Sequence, residues 1–235
     1  MLISFEDRPS DSPLVERVWR SHSDRAGTFQ SMAMCNCVLV VSRVAGRTSV
    51  TVRGPETRAT AADCPADGEW LGINFAVGAY LPLLPAAALR DRNDVTLPAA
   101  TDQAFWLEGS AWELPSFENA EVFVRRLMRA GLVVADPYVR DVLCGAARPH
   151  SLRTAQRRVL RATGMTPGTI RQIERARHAT ALLQRGGAIA DVAQAAGYFD
   201  QAHLTRSLRR FVGQTPAQVA RGETQLSLLY NTADD

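Results

Sequence analysis

The 235-residue chain contains no lysine. All 27 basic side chains are arginines, against 24 acidic ones, for a formal net charge of +3. Arginine at every solvated basic site serves no structural need, so the bias points to codon usage in the source genome. Cysteine is scarce as well. Four unevenly spaced residues exclude a disulfide scaffold and suit a reducing cytoplasm. No stretch approaches about 18 uninterrupted apolar residues, so no membrane helix is expected and no membrane partner. The N-terminus, Met1-Leu2-Ile3-Ser4-Phe5-Glu6-Asp7-Arg8, lacks the basic region and apolar run of a signal peptide. Motifs that carry chemistry are missing too: there is no Gly-x-Ser-x-Gly elbow, P-loop, Gly-x-Gly-x-x-Gly or His-Glu-x-x-His. The histidines are scattered, and His22, His150 and His178 have no partner at ligand spacing. The expectation is a protein that is not an enzyme and holds no cofactor or metal.

What the chain does have is an uneven charge and a repeat. Residues 137–225 hold 14 arginines and 5 acidic residues, a net of +9. The remainder holds 13 arginines and 19 acidic residues, a net of −6. A basic half of this kind is the electrostatic footprint of a polyanion binder. Within it, Ala155 to Pro167 repeats as Leu204 to Pro216, 49 positions later. Arg157 falls on Arg206, Val159 on Leu208, Arg161 on Arg210, Gly164 on Gly213, and Thr166-Pro167 on Thr215-Pro216. Each copy reads as an arginine-rich helix ended by glycine and followed by a capped start with proline in its first turn.

The spacing predicts which faces are buried. Leu204, Leu208 and Phe211 form one stripe in the second copy; Leu152, Ala155 and Val159 form one in the first. Ahead of the second copy, Ala188 to Gly197 reads as a helix, with Ile189, Val192, Ala193 and Ala196 inward. The turn Tyr198-Phe199-Asp200 then leads into Gln201. Helix, glycine-containing turn, helix is the helix-turn-helix pattern. Thr169 to Arg185 reads as one connecting helix with Ile170, Ile173, Ala176, Thr180 and Leu183 inward. At about 1.5 Å per residue it spans roughly 25 Å. With its flanking turns that is of the order of one DNA turn, about 34 Å.

Gly197 to Arg206 and Phe211 to Pro216 resemble the signature of AraC/XylS-type transcription regulators, and Ser151 to Arg158 is similar to the first recognition helix of that family. The resemblance covers about residues 136–222. It implies two helix-turn-helix units, each placing one helix in a major groove of double-stranded DNA. Carried over by position, the base-facing candidates are Arg153, Gln156 and Arg157, then Gln201, Ala202, His203 and Arg206. Arginine suits guanine and glutamine suits adenine, each by paired hydrogen bonds. Thr205, Arg209 and Arg210 are better placed for phosphates. One departure stands out. The helix that starts at Asp136-Pro137 and reaches Gly145 leaves the first unit one helix short, unless residues 117–130 supply it.

Upstream the texture changes. Cys37 to Val44, Ser49 to Arg53 and Trp70 to Val77 read as strands, the last with Leu71, Ile73, Phe75 and Val77 on one face. Ser116 to Gly131 reads as a helix, with Phe117, Val124, Leu127 and Met128 inward. The expected fold class is α+β: a mixed, β-rich N-terminal domain (1–115), a helical linker (116–135), an all-α double helix-turn-helix domain (136–222) and a tail (223–235). In the family such N-terminal domains sense a small molecule or mediate dimerisation. The resemblance thus admits a small-molecule effector, RNA polymerase and a second copy of the chain as partners. Trp70, Phe75, Tyr80, Phe105, Trp106 and Trp112 are the candidate lining of an effector pocket, weighed against an ordinary aromatic core. Cys35 and Cys37, with Cys64, are weighed as a thiol or metal site against buried small hydrophobes, and the second reading is preferred. Family members that repair DNA through zinc-bound cysteine carry a four-cysteine cluster, which this spacing does not match. An architectural DNA binder would need charge alone, whereas Gln156, Gln201 and His203 stand among the arginines. The sequence therefore points to a sequence-specific transcription regulator.

Overall fold

The computed structural model describes residues 3–91, 95–146 and 151–222. The chain opens with strands β1 (Ile3–Pro9), β2 (Val15–Ser23), β3 (Gly27–Ser31), β4 (Val38–Val44), β5 (Arg47–Arg53), β6 (Thr60–Cys64), β7 (Gly68–Phe75) and β8 (Ala79–Tyr80). A short helix α1 (Ala86–Leu89) precedes β9 (Val95–Leu97), β10 (Ala99–Thr101), β11 (Ala104–Leu107) and β12 (Ser110–Glu113). Helix α2 (Ala120–Arg129) and β13 (Val134–Ala135) follow. The rest is helical: α3 (Pro137–Leu143), α4 (Leu152–Thr163), α5 (Pro167–Gln184), α6 (Ile189–Ala195), α7 (Gln201–Phe211) and α8 (Pro216–Arg221). The fold class is thus α+β, β-rich first and helical after.

Two compact units result. One comprises Met1–Ala26, Cys35–Pro55 and Pro65–Pro167; the other comprises Gly27–Met34, Glu56–Cys64 and Gly168–Asp235. The first is built on a six-stranded sheet of order β1-β2-β7-β4-β5-β9, with every neighbouring pair antiparallel. β4 and β5 are the predicted β-branched hairpin, joined by Ala45-Gly46. Along β7, Ile73 and Phe75 enter the core with Leu39, Val41, Val50 and Val52. Trp19 lies across the other face: a Cβ on Gly72 would stand 2.0 Å from its indole, and its Nε1 donates to Asn74 Oδ1 at 3.0 Å. Gly72 therefore supplies space for a ring, which explains a glycine in the middle of a strand.

α2 closes the core with Ala120, Phe123, Val124 and Leu127. Two details of the sequence reading change. The helix starts at Ala120, not Ser116, because Ser116 and Asn119 bond each other's backbone N–H groups and hold a turn there. Met128 is 40% exposed, and Phe123 takes the inward place. The β1–β2 hairpin, the β10–β12 meander and the β3–β6 pair lie in segments without a clear apolar alternation, and the sequence reading leaves them out.

In the second unit α5 buries Ile170, Ile173, Ala176, Thr180 and Leu183, the face its periodicity predicts. Val192, Ala193, Leu204, Leu208, Phe211 and Val219 bring α6, α7 and α8 onto one apolar core. β3 and β6 belong to this unit as a two-stranded antiparallel ribbon pairing Gly27 with Cys64 and Ser31 with Thr60.

Candidate nucleic-acid interface

The second helix-turn-helix is fixed from within. Gly197, at φ 71°, ends α6, and the Tyr198 N–H returns to Ala193 O at 2.8 Å. Tyr198 turns inward, its hydroxyl 2.9 Å from Ser207 Oγ on α7. Arg175 of α5 donates to Gly197 O at 3.2 Å and places its guanidinium 4.5 Å from the Tyr198 ring centre. Asp200 caps α7, accepting the His203 N–H at 2.6 Å. A helix with its turn clamped this way presents its outer face in one orientation.

That face carries the predicted candidates. Leu204 and Leu208 are fully buried beneath it. Gln201, Ala202, Arg206, Arg209 and Arg210 are exposed; His203 and Thr205 are half-buried. Among the described residues, the side chains of Gln201, Arg206 and Arg209 have no hydrogen-bond or ion-pair partner. His203 is held edge-on to Tyr198 at 5.1 Å, with Nδ1 facing the Phe199 N–H. Its Nε2 is the nitrogen left for a ligand. Thr205 donates its hydroxyl to Gln201 O at 2.8 Å, and Arg210 lies 5.0 Å from the Phe211 ring centre.

The first candidate reading helix, α4, is capped by Ser151, whose Oγ accepts the Thr154 N–H. Arg153, Gln156 and Arg157 are exposed and have no polar side-chain partner among the described residues. The buried stripe differs from expectation. Leu152 is 73% exposed, because it stands in the first turn, beyond the packed seam. Ala155, Val159 and Ala162 form the seam instead. Arg158 points back to Asp136, donating from Nε to Oδ2 at 2.8 Å and from Nη2 to Oδ1, and lies over the Tyr138 ring. Asp136 raises the Arg158 pKa above its ordinary value. The helix α2 sits in the β-sheet core, and α4 packs against α3 and α1. Arg148, Pro149 and His150 lie outside the described residues.

The six aromatics do not line one pocket. Phe75 and Phe105 are fully buried core residues, and Trp112 packs edge-on against Phe123. Trp70 is five positions from Phe75 on the same strand, and side chains alternate with a period of two, so it faces away. Trp106 is 45% exposed, and Tyr80 is buried in β8. A cleft of about 920 Å³ in the first unit is lined instead by Arg8, Glu118, Glu121, Arg125, Met128 and Arg140, among others. Cys35, Cys37 and Cys64 are buried and in no disulfide; burial pushes Cys37 up to about 12. Among the described residues no group of three or more His, Cys, Asp or Glu could hold a metal ion, and no helix is long and apolar enough to cross a membrane.

One residue at this surface escapes the sequence reading. Phe199 is 92% exposed in the turn beside α7. The signal was there in the adjacency of two aromatics, since Tyr198 alone fills the inward slot.

The clamped α6–α7 pair, with the cationic outer faces of α7 and α4, defines a protein of the helix-turn-helix class. Residues 149–222 match the family model for a helix-turn-helix domain. That domain occupies the last third of the chain, behind the β-rich N-terminal region. Among solved structures, ToxT from Vibrio cholerae is similar at 11% sequence identity, over 93% of this chain and 98% of that one, with a TM-score of 0.40. No curated protein matches the sequence.

Proposed function

We propose that the protein regulates transcription by reading two neighbouring major grooves, one with α4 and one with α7. The observation that carries this reading is the distribution of satisfied and unsatisfied polar groups. Arg158 and Arg175 are consumed by internal partners. Among the described residues, Arg153, Gln156, Arg157, Gln201 and Arg206 are exposed and their side chains have no polar partner. These five are the side chains whose forks match guanine and adenine edges. Ala202 and the exposed Phe199 offer apolar surface to a thymine methyl, and His203 offers Nε2. Thr205, Arg209 and Arg210 flank them and grip phosphates, which orients the helix without reading sequence.

The DNA-reading segment runs from about residue 136 to 222, and the upstream domain senses an effector or dimerises. The cleft beside Arg8, Glu121, Arg125 and Arg140 supports a small polar effector more than an apolar one, since both charge signs line it. RNA polymerase and a second copy of the chain are the protein partners this reading admits, in the cytoplasm. The test is selection from random duplexes, followed by binding to single-base variants of the recovered site at fixed salt. Two clusters of preferred bases about 10 base pairs apart are expected. Equal affinity for all duplexes would overturn the reading.

A further inference from the structure

The carboxyl-terminal ends of α4 and α7 share an unusual feature. A helix end leaves its last carbonyls without intrahelical partners. In each reading helix those groups are bound by residues from the first hundred positions of the chain. In the first unit, Arg90 donates from Nη1 to Gly164 O at 2.9 Å. In the second unit, the Ala59 N–H donates to Arg210 O and the Ala33 N–H to Phe211 O, both at 2.8 Å.

The repeat sharpens the comparison. Gly164 and Gly213 are equivalent positions, both left-handed, at φ 66° and 81°. Each also accepts a close neighbour that a side chain would displace. A Cβ on Gly164 would lie 2.8 Å from the Ala86 backbone; one on Gly213 would lie 2.5 Å from the Gln30 side chain. Ala86 belongs to α1 and Gln30 to the β3–β6 ribbon. The ribbon's base is itself rigid: Met34 and Glu56 exchange backbone bonds at 3.0 and 2.9 Å, and Ser31 Oγ bonds the Glu56 carboxylate at 3.2 Å. Ala33 and Ala59 are thus presented to α7 from a braced frame.

We infer that α1 with Arg90, and the β3–β6 ribbon through the Ala33 and Ala59 amides, are separate positioning devices for the two reading helices. Each sets the pitch of its own helix in its own groove. The inference rests on the reading of α4 and α7 as DNA-reading helices. Its physical basis is the lever such contacts give: the base-reading residues lie toward the amino-terminal half of each helix, so a tilt at the held end moves them across the groove. Arg90 also sets a positive charge at the negative end of the α4 dipole.

The test uses the full chain and the single-base panel. Arg90→Ala should weaken base preference at the α4 cluster by about tenfold, the order of one charge-assisted hydrogen bond, and leave the α7 cluster unchanged. Arg90→Lys, which keeps one donor and the charge, should restore part of it. Ala59→Pro removes one amide donor and should weaken only the α7 cluster. Should that variant fail to fold, amide exchange in the wild-type protein decides: the Ala33 and Ala59 amides should exchange together with those of α7 and slow further on DNA. Loss spread equally over both clusters, unaltered preferences, or Ala33 and Ala59 exchanging at loop rates would overturn the inference. The two base clusters of the wild-type protein are measured independently, so a failure here leaves the proposed function standing or falling on its own data.

Discussion

Arg158, in the middle of α4, is tied to Asp136 just ahead of α3 by two charge-assisted hydrogen bonds. Its neighbour Arg157 is exposed and has no such partner among the described residues. Adjacent arginines on one helix thus take opposite tasks, because residues next to each other on a helix point about 100° apart. Arg158→Ala should change stability little, as loss of an exposed ion pair does, and leave base preference intact. Arg157→Ala should cost about 1–3 kcal/mol on the preferred site and almost nothing on random DNA. Thermal melts and the single-base panel separate the two; equal effects of both variants would show that the face is misassigned.

Salt should control affinity steeply. If the basic half neutralises about six or more phosphates, binding should weaken about a thousandfold or more between about 50 and 200 mM salt. Removing Arg210 should flatten the slope by about one unit and weaken all sequences alike. An unchanged slope would take Arg210 off the phosphate list.

Leu208 has no exposed surface and packs beneath the reading face of α7. Leu208→Asp would bury a carboxylate there without a partner, at a cost of several kcal/mol. Helical signal and DNA binding should be lost together. A variant that keeps both would contradict the buried register of this helix.

Acid should loosen the first unit before it affects the arginines. Arg8 binds Glu121 at 2.5 and 3.0 Å, and this pairing holds the Glu121 carboxyl down to about 2 from an ordinary 4.5. The folded pKa is depressed, so the pair's contribution is fully present above about pH 4.5 and is lost as pH falls toward 2. Glu121→Gln should lower the melting temperature at pH 7 and leave it nearly unchanged near pH 2. Equal destabilisation at both pH values would place the effect in packing.

The four thiols should differ in reactivity. Cys144 is exposed, whereas Cys35, Cys37 and Cys64 are buried. With Cys37 pushed up to about 12, it carries little thiolate at pH 8. Iodoacetamide followed by peptide mass analysis should label Cys144 in the native protein and the other three only after unfolding. Rapid native labelling of Cys37 would revive the thiol-sensor reading.

The helical half was legible because its signals are local. Glycine at 164, 197 and 213, the cap at Thr215 with Pro216 behind it, and the spacing of Leu204, Leu208 and Phe211 each act within one or two turns of chain. Their outcome hardly depends on what lies elsewhere. The strands β4, β5 and β7 were legible for a similar reason, since alternation and β-branched runs mark a half-buried pleat. The aromatic grouping failed where the same rule, applied to Trp70 and Phe75, already separates them.

By itself, then, the sequence determined the helix-turn-helix pattern, the arginine-rich helices α4 and α7 and the outward faces of those helices, because helix caps and apolar periods are written in neighbouring residues. Tertiary structure alone decided which exposed arginines are spoken for, with Arg158 bound to Asp136 and Arg175 to Gly197. It alone brought Arg90 to Gly164, and Ala33 and Ala59 to the end of α7. Those contacts span from 74 to more than 150 positions of chain and involve mostly backbone groups. A backbone N–H or carbonyl is the same in every such residue, so no side-chain pattern announces where it will be used.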